Sequence, residues 1–239
     1  MSIDWNYLAT TITEALHLDA PPVAITFADE RPDGIPAFDA PMSEPAADGR
    51  SGRVPAGCVF WMRAVDKTFT TAPEDHGNCS VGSLTHGLKI LDEVAAMEDV
   101  SALLSSGWVT TDMVPGIPTV SKKAASIVYG PLAESPIDPD VVLLRVNGRQ
   151  MMVLSDAIPD LRIEGKPQCH IVAIAKEHGI AAASVGCALS RARTGMQGFE
   201  MTCAIPAAGL AAVTRRVQDT AAIDNAVAKY AANDARRFA

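Results

Sequence analysis

The sequence CVFWMRAVDKTFTTAPEDHGNC occupies residues 58–79 and places a cysteine at each end of a turn-rich segment. Its apolar start, 58–62, and its β-prone run, 68–71, flank a charged turn, which predicts a β-hairpin beginning at Cys58. The following PEDHGN is typical of turns and can return the chain toward the start of the hairpin. We therefore expect Cys58 and Cys79 to approach each other in the folded protein.

The composition excludes several classes of function. With 239 residues, 48% of them hydrophobic, the chain can bury the core of one large or two small domains. A net charge of −8 disfavours binding to nucleic acid or to anionic lipid. No apolar stretch reaches the roughly 18 residues of a transmembrane helix, and the N-terminus lacks the pattern of a signal peptide. We expect a cytoplasmic globular protein without nucleic-acid or membrane partners.

Hydrophobic periodicity predicts the elements before residue 121. A first helix is capped by Ser2 or Asp4 and ends before Pro21. Residues 29–57 are rich in proline and glycine, which predicts an irregular loop or lid. The remaining expectations are a strand over 23–27, a helix over 81–97, a helix over 99–105 and a turn-rich loop over 107–121 that could line a pocket.

The C-terminal half alternates between strands and helices. Strands are expected over 125–129, 141–146, 181–185 and 199–205, and helices over 149–158, 169–178 and, as a pair or one broken helix, 210–238. This alternation predicts an α/β or α+β fold, with a mixed sheet flanked by helices. We expect one domain over 1–239, or two subdomains divided near 110–125.

The cysteines carry the main chemical signal. In a reducing cytosol, cysteines in turns are more often metal ligands or reactive thiols than disulfides. Cys79 and Cys169 are expected at helix N-termini, where the helix dipole would lower a thiol pKa. Cys187 follows a short strand, and Arg191 and Arg193 could stabilise its thiolate or hold an anionic substrate. Cys203 lies in an alternating strand, which favours a buried core thiol.

Several separated motifs along the chain occur together in one order. They are Pro22-Val23-Ala24, Gly57-Cys58, Asn78-Cys79-Ser80-Val81-Gly82, Gly165-Lys166-Pro167-Gln168-Cys169, Ser184-Val185-Gly186-Cys187, Arg191, Thr194-Gly195, Glu200 and Ile205-Pro206. This set resembles the DUF169 family of prokaryotic proteins. The resemblance covers roughly residues 20–210 and implies that the cysteines at 58, 79, 169 and 187 recur in the family, whereas Cys203 matches no family motif.

We predict that the four recurrent cysteines, Cys58, Cys79, Cys169 and Cys187, ligate one metal centre. An iron–sulfur cluster, with 4Fe–4S favoured, is expected ahead of zinc, and it would serve redox or small-molecule chemistry with a small-molecule ligand or a redox partner. The CxxC spacing of zinc ribbons and ferredoxins is absent. If three cysteines bind, an open iron position could act as a Lewis acid. His76, three residues before Cys79, is a candidate accessory ligand.

Two other classes of function stay open at this point. One is a cofactor-free enzyme with a cysteine nucleophile, either Cys187 activated by Arg191 or Arg193, or Cys79 with His76 as its base. The other is a binding or sensor protein in which the two arginines and Glu200 hold a small charged ligand, although these residues could equally form a surface ion pair. The sequence contains no Walker loop, no GxGxxG after a strand and no serine nucleophile elbow. The alanine-rich C-terminal helices would suit a homodimer contact.

Overall fold

A seven-stranded mixed sheet organises the protein in the computed structural model, which describes residues 3–39, 57–77 and 79–238. The strands lie in the order β2-β3-β1-β4-β7-β6-β5. β5 and β6 pair in parallel, and the other neighbours pair antiparallel. The strands are β1 (Val23–Ala28), β2 (Phe69–Thr71), β3 (Ser126–Pro131), β4 (Val141–Val146), β5 (Arg162–Glu164), β6 (Ala182–Ser184) and β7 (Met201–Pro206).

Helices cover both faces of this sheet, so the expected mixed sheet with flanking helices is confirmed. They are α1 (Trp5–Leu16), α2 (Cys58–Arg63), α3 (Ser80–Thr85), α4 (Leu91–Ala95), α5 (Glu98–Ser105), α6 (Gly148–Ala157), α7 (His170–His178), α8 (Ala188–Thr194) and α9 (Leu210–Ala235). Short 3₁₀ turns occupy Pro73–His76 and Thr111–Gly116. Among the described residues, no helix is both long and apolar enough to cross a membrane.

Alternation along the strands separates two cores. Side chains such as Leu144 and Cys203 pack with α1, α6 and α9 on one side, which we call the apolar face. Their strand neighbours Leu143 and Ala204 point to the other side and pack with α2 and α7. We call this second side the cysteine face, because Cys169 belongs to its core and Cys58 packs against it.

Most predicted elements are confirmed with small shifts of their ends. α1 is capped by Asp4, whose Oδ1 accepts a 2.9 Å hydrogen bond from the Tyr7 backbone N–H. The strand predicted over 141–146 matches β4. The C-terminal segment was predicted as a pair of helices or one broken helix over 210–238, which is wrong, because it forms one continuous helix, α9, of 26 residues.

The predicted hairpin at the start of the 58–79 stretch is wrong in its first arm. Residues 58–63 form α2, while the second arm is the strand β2. Phe60, Trp61 and Ala64 are buried together on one side of the helix, and the Trp61 N–H donates to the Gly57 carbonyl oxygen at 3.0 Å. An apolar run this short does not distinguish strand from helix, so tertiary packing decided its conformation.

The helix predicted over 81–97 is also wrong, because it is split into α3 and α4. Gly87 adopts φ +65°, and the Leu88 N–H donates to the Ser83 carbonyl oxygen at 3.0 Å, which is a helix-ending arrangement. The Ile90 N–H then donates to Glu93 Oε2 at 2.8 Å at the start of α4. The strand β5 was not predicted.

The irregular segment 29–57 falls mostly outside the described residues. Its described part, 29–39, contains turns but no helix, and Ala37 forms an isolated bridge with Thr70 of β2. The prediction of an irregular chain therefore holds for 29–39, and residues 40–56 lie outside the described ranges.

Candidate metal centre

Four cysteines from four separate segments line one pocket on the cysteine face. Cys58 is the first residue of α2, and Cys79, Cys169 and Cys187 immediately precede α3, α7 and α8. Cys203 is fully buried in β7 on the apolar face, as the sequence indicated. The structure thus brings together the four cysteines that the sequence singled out and separates the fifth.

Contacts between pairs of helices hold this arrangement. α2 contacts α8, and α3 contacts α7, so each pair joins a cysteine from before β3 to one from after β5. The pocket has a volume of about 20 Å³, which is room for about one water molecule. Its other lining residues are Val81, Gly82, Trp108, Pro167, Gln168, Leu189, Ser190 and Arg193.

Burial raises the pKa of three of these thiols. The pKa of Cys79 rises to about 12, because burial and the nearby Cys58 outweigh Arg193 and a 3.4 Å hydrogen bond from the Gly82 N–H to its Sγ. The expected lowering of this pKa by the helix N-terminus is therefore wrong. For Cys169, burial and then Cys79 raise the pKa well above its ordinary value. These thiols carry negative charge at neutral pH only if a cation compensates it.

Cys58 lies in a more polar part of the pocket. Burial raises its pKa, while a hydrogen bond with the Ser190 side chain and the charge of Arg193 act in the opposite direction. Ser190 Oγ also accepts a 2.6 Å hydrogen bond from Gln168 Nε2. Two further polar atoms, Gln168 Oε1 and Arg193 Nη1, are buried without a hydrogen-bond partner. The pocket wall therefore offers a free acceptor and a free donor beside the thiols.

Arg191 has a structural role next to Cys187. Its Nη2 donates to the carbonyl oxygens of Val185 at 3.1 Å, Gly198 at 3.2 Å and Glu200 at 2.9 Å. Gly186 adopts φ +112°, and a Cβ at this position would lie 2.7 Å from Arg191 Cζ. The glycine before Cys187 is thus needed both for its backbone conformation and for the space that the guanidinium occupies.

The predicted accessory residues divide into one that borders the pocket and two that do not. Arg193 lines the pocket, whereas His76 and Arg191 are not among its lining residues. His76 is fully buried beside Phe60, with ring centroids 4.7 Å apart, and its Nε2 lies 3.0 Å from Thr71 Oγ1. Burial, and then the neighbouring His86, lower the pKa of His76 well below its ordinary value.

His86 completes the buried surroundings of Cys58. Its Nδ1 donates to the Gly82 carbonyl oxygen at 2.7 Å, which leaves Nε2 as an acceptor without a partner. Burial lowers its pKa to about 4. A Cβ on Gly57, at φ +57°, would lie 3.1 Å from His86 Cε1, so this ring packs directly against the residue before Cys58.

Glu200 is occupied in a structural ion pair. Its carboxylate pairs with Arg145, and both side chains are largely buried. Its other oxygen, Oε2, accepts a 2.5 Å hydrogen bond from the Gln197 N–H. Glu200 and Arg191 are thus both engaged in contacts within the protein. These two residues therefore do not support the expected charged-ligand site of Glu200, Arg191 and Arg193.

The thiols border one pocket, but their present arrangement is not that of ligands around an ion. Within the described ranges, no group of three or more histidine, cysteine, aspartate or glutamate side chains is placed so that it could hold a metal ion. Lining a pocket requires only that side chains border the same space, whereas ligation requires sulfur atoms at about 2.3 Å from one metal atom in a zinc site. Metal binding would therefore require the cysteine side chains to turn toward a common centre.

Sequence reasoning did not assign Trp108, Gln168 or Ser190 to the site. Trp108 lies in the loop 107–121 that was expected to line a pocket, and Lys166 Nζ sits 5.0 Å from its ring centroid. Gln168 directly precedes Cys169 in the motif over 165–169, so its place beside the cysteines could have been predicted from the sequence. Ser190 follows Cys187 by three residues, the spacing that places two side chains on one side of a helix start.

The comparisons with known proteins give a family but no function. The family model DUF169, described as "Uncharacterised ArCR", matches residues 11–216. No curated protein matches the chain. No solved structure matches it either.

Proposed function

The chain belongs to the DUF169 family, and we propose that it binds an iron–sulfur cluster through Cys58, Cys79, Cys169 and Cys187. The observation that carries the proposal is that these four cysteines, from four separate helix starts, border one pocket while Cys203 lies across the sheet. We further propose that the protein works in the cytoplasm, where free thiols are maintained. The cluster would serve redox or small-molecule chemistry.

The chemistry of the donor set supports this assignment. Thiolate is the ligand that iron–sulfur clusters and zinc both take from cysteine. Burial and mutual repulsion keep the pKa of Cys58, Cys79 and Cys169 above the ordinary value, so the protein alone does not stabilise several adjacent thiolates. A bound cationic centre would supply that stabilisation, and protons would leave the thiols as it binds.

Other residues of the pocket would adjust the properties of such a centre. The Gly82 N–H already donates to Cys79 Sγ, and Arg193 places a cation beside Cys58 and Cys79. Hydrogen bonds to the sulfurs and nearby positive charge raise the reduction potential of thiolate-bound clusters. When bound, an iron–sulfur cluster supplies one-electron transfer or, at an iron without a protein ligand, a Lewis acid.

Zinc is the second candidate, and one observation favours it. The pocket volume of about 20 Å³ suits a single ion, whereas a cluster requires the four cysteines to move apart. A catalytic cysteine has less support, because a nucleophile needs an accessible thiol, whereas the candidates Cys187 and Cys79 are both buried and the pKa of Cys79 is raised to about 12.

The test is anaerobic purification followed by an absorption spectrum and analysis for iron, sulfide and zinc. We expect a broad visible absorption band, with iron and sulfide in equal amounts, that bleaches in air or with dithionite. About one zinc per chain in a colourless protein would replace the cluster with the zinc site. Folded protein that contains neither metal after anaerobic reconstitution would reject both metal proposals and leave the reactive thiol.

A further inference from the structure

A second, larger cavity lies between α3, α4, α5 and the 3₁₀ turn Thr111–Gly116. Its volume is about 400 Å³, within the range of small-molecule sites. All but three of its lining residues are aliphatic, the exceptions being Ser80, Asp92 and Thr111. We call this space the aliphatic cavity. Half-exposed Leu91 and Leu104 border it, so it is open to solvent on that side.

The lining excludes most charged ligands. No lysine, arginine or histidine is among the lining residues, so a carboxylate or phosphate would find no cation there. Asp92 contributes one exposed carboxylate, which further disfavours anions. The hydroxyl of Ser80 already donates to Asp99 Oδ2 at 3.1 Å. No aromatic ring lines the cavity either, so stacking is not available to a flat aromatic ligand.

The aliphatic cavity adjoins the cysteine pocket. Val81 lines both spaces, and two chain segments pass from one to the other. In the first, Cys79 borders the cysteine pocket and the next residue, Ser80, borders the cavity. In the second, Trp108 borders the cysteine pocket and Val109 borders the cavity. Val81 therefore forms part of the wall between the cavity and the cysteine pocket.

We propose that the aliphatic cavity binds a neutral aliphatic molecule and presents it to the cysteine centre. Binding depends on the shape and polarity of the cavity alone. The second part, that this molecule is the ligand on which the centre acts, rests on the proposed function. Burial of apolar surface drives the binding, and the lining, which holds one carboxylate and no cation, selects against anionic head groups.

The test titrates the full-length protein, as purified anaerobically, with n-alkanols of increasing length by isothermal calorimetry. We expect saturable binding that tightens about fourfold for each added methylene until the cavity is full. Octanoate, which has a similar chain with an anionic head, should bind at least about tenfold more weakly than octanol, because the lining holds a carboxylate and no cation. Absence of saturable octanol binding, or equal binding of octanoate, would overturn the proposal.

A matched pair of variants locates the binding site. Ala95 lines the aliphatic cavity at the end of α4, and Ala96 follows it without lining the cavity; both are exposed, so a larger side chain disturbs no core packing. Ala95→Phe should weaken octanol binding by about tenfold or more, and Ala96→Phe should leave it within about twofold. Equal affinity in the two variants would place the alcohol elsewhere and reject the cavity.

Two further measurements complete the test. One asks whether a second copy of the chain occupies the cavity, and the other separates failure of the cavity from failure of the metal centre. Sedimentation of both variants detects a second copy of the chain as the occupant, since Ala95→Phe would then change the oligomeric state, a result that would also overturn the proposal. Octanol binding is repeated with Cys187→Ser, whose metal content is analysed separately. If octanol still binds but no preparation contains metal, the cavity is established as a binding site and the metal centre is rejected.

Discussion

The two faces of the sheet are built on different principles. The apolar face buries aliphatic side chains from α1, α6 and α9, and its one cysteine, Cys203, has its pKa raised to about 12 by burial alone. The cysteine face buries histidines, thiols and polar atoms without hydrogen-bond partners. Those atoms include Trp61 Nε1, His76 Nδ1, His86 Nε2, Tyr129 OH, Gln168 Oε1 and Arg193 Nη1.

The contrast indicates that the two faces of the sheet have different roles. A buried polar atom without a partner costs about 1–3 kcal/mol, so the cysteine face gives up stability that an apolar core would provide. Local departures of this kind concentrate at functional sites, while the rest of the molecule offsets their cost. We therefore expect changes on the cysteine face to alter chemistry and changes at Cys203 to alter packing.

The largest expected effect separates the cysteines of the two faces. Single serine substitutions of Cys58, Cys79, Cys169 and Cys187 should each remove most of the bound metal, because each removes one thiolate ligand. Cys203→Ala should keep the metal content of the natural sequence, although it leaves a small cavity in the apolar face. Metal analysis and circular dichroism of all five variants check this. Loss of metal from a folded Cys203→Ala variant would contradict the expected difference between the cysteines of the two faces.

An intermediate effect is expected at Gly186. Gly186→Ala should destabilise the protein by about 3 kcal/mol or more, because alanine is strained at φ +112° and its Cβ would displace Arg191 from its three carbonyl partners. Urea unfolding measures the change. Gly148→Ala, at the start of α6 on the apolar face, is the control, since a Cβ there meets nothing within 4 Å. Similar destabilisation by the two substitutions would contradict this account.

The smallest effect is a pH dependence that arises on the cysteine face. Burial lowers the pKa of His86 from 6.5 to about 4, so below about pH 6.5 the unfolded chain takes up a proton that the folded protein does not. Stability is then lost as the pH falls from about 6.5 toward about 4. At about pH 5 the loss due to His86 amounts to about 2 kcal/mol.

The comparison variant is His86→Asn, which can keep a donor near the Gly82 carbonyl oxygen but does not titrate. Urea unfolding at about pH 7.5 and about pH 5 should show a smaller loss of stability on acidification in the variant than in the natural sequence. The same loss in both proteins would show that His86 is protonated in the folded state, contrary to its burial.

The sequence predicted the fold class because periodic patterns are strong in the C-terminal half, where β4 matches its expected range and α9 is helical as expected, although it is continuous and not broken. It failed where tertiary contacts overrode local preference. The run from Cys58 to Met62 is as compatible with a strand as with a helix, and its burial against Phe69 and Tyr129 is a long-range property. The end of α3 was missed for a different reason, because Gly87 at φ +65° is a local helix-ending signal that the apolar periodicity of 81–97 outweighed.

The four cysteines of the candidate site were predictable from the sequence, but most of the other lining residues and the pKa values of the thiols were not. The recurrent positions of Cys58, Cys79, Cys169 and Cys187 indicated one centre, and the four side chains border one pocket. The pKa of Cys79 was expected to fall at a helix N-terminus, yet burial and the neighbouring thiol raise it. Desolvation depends on what surrounds a group in three dimensions, and a linear sequence does not contain that quantity.

The position of β7 connects the two ends of the sheet that carry the cysteines. Cys58 and Cys79 flank β2 at one end of the sheet, while Cys169 and Cys187 follow β5 and β6 at the other end. β7, the last strand in the chain, lies between β4 and β6 and joins these two ends by hydrogen bonds. The last strand of the chain thus lies between the segments that carry the two pairs of cysteines, and loss of β7 from the sheet would break the strand pairing that connects them.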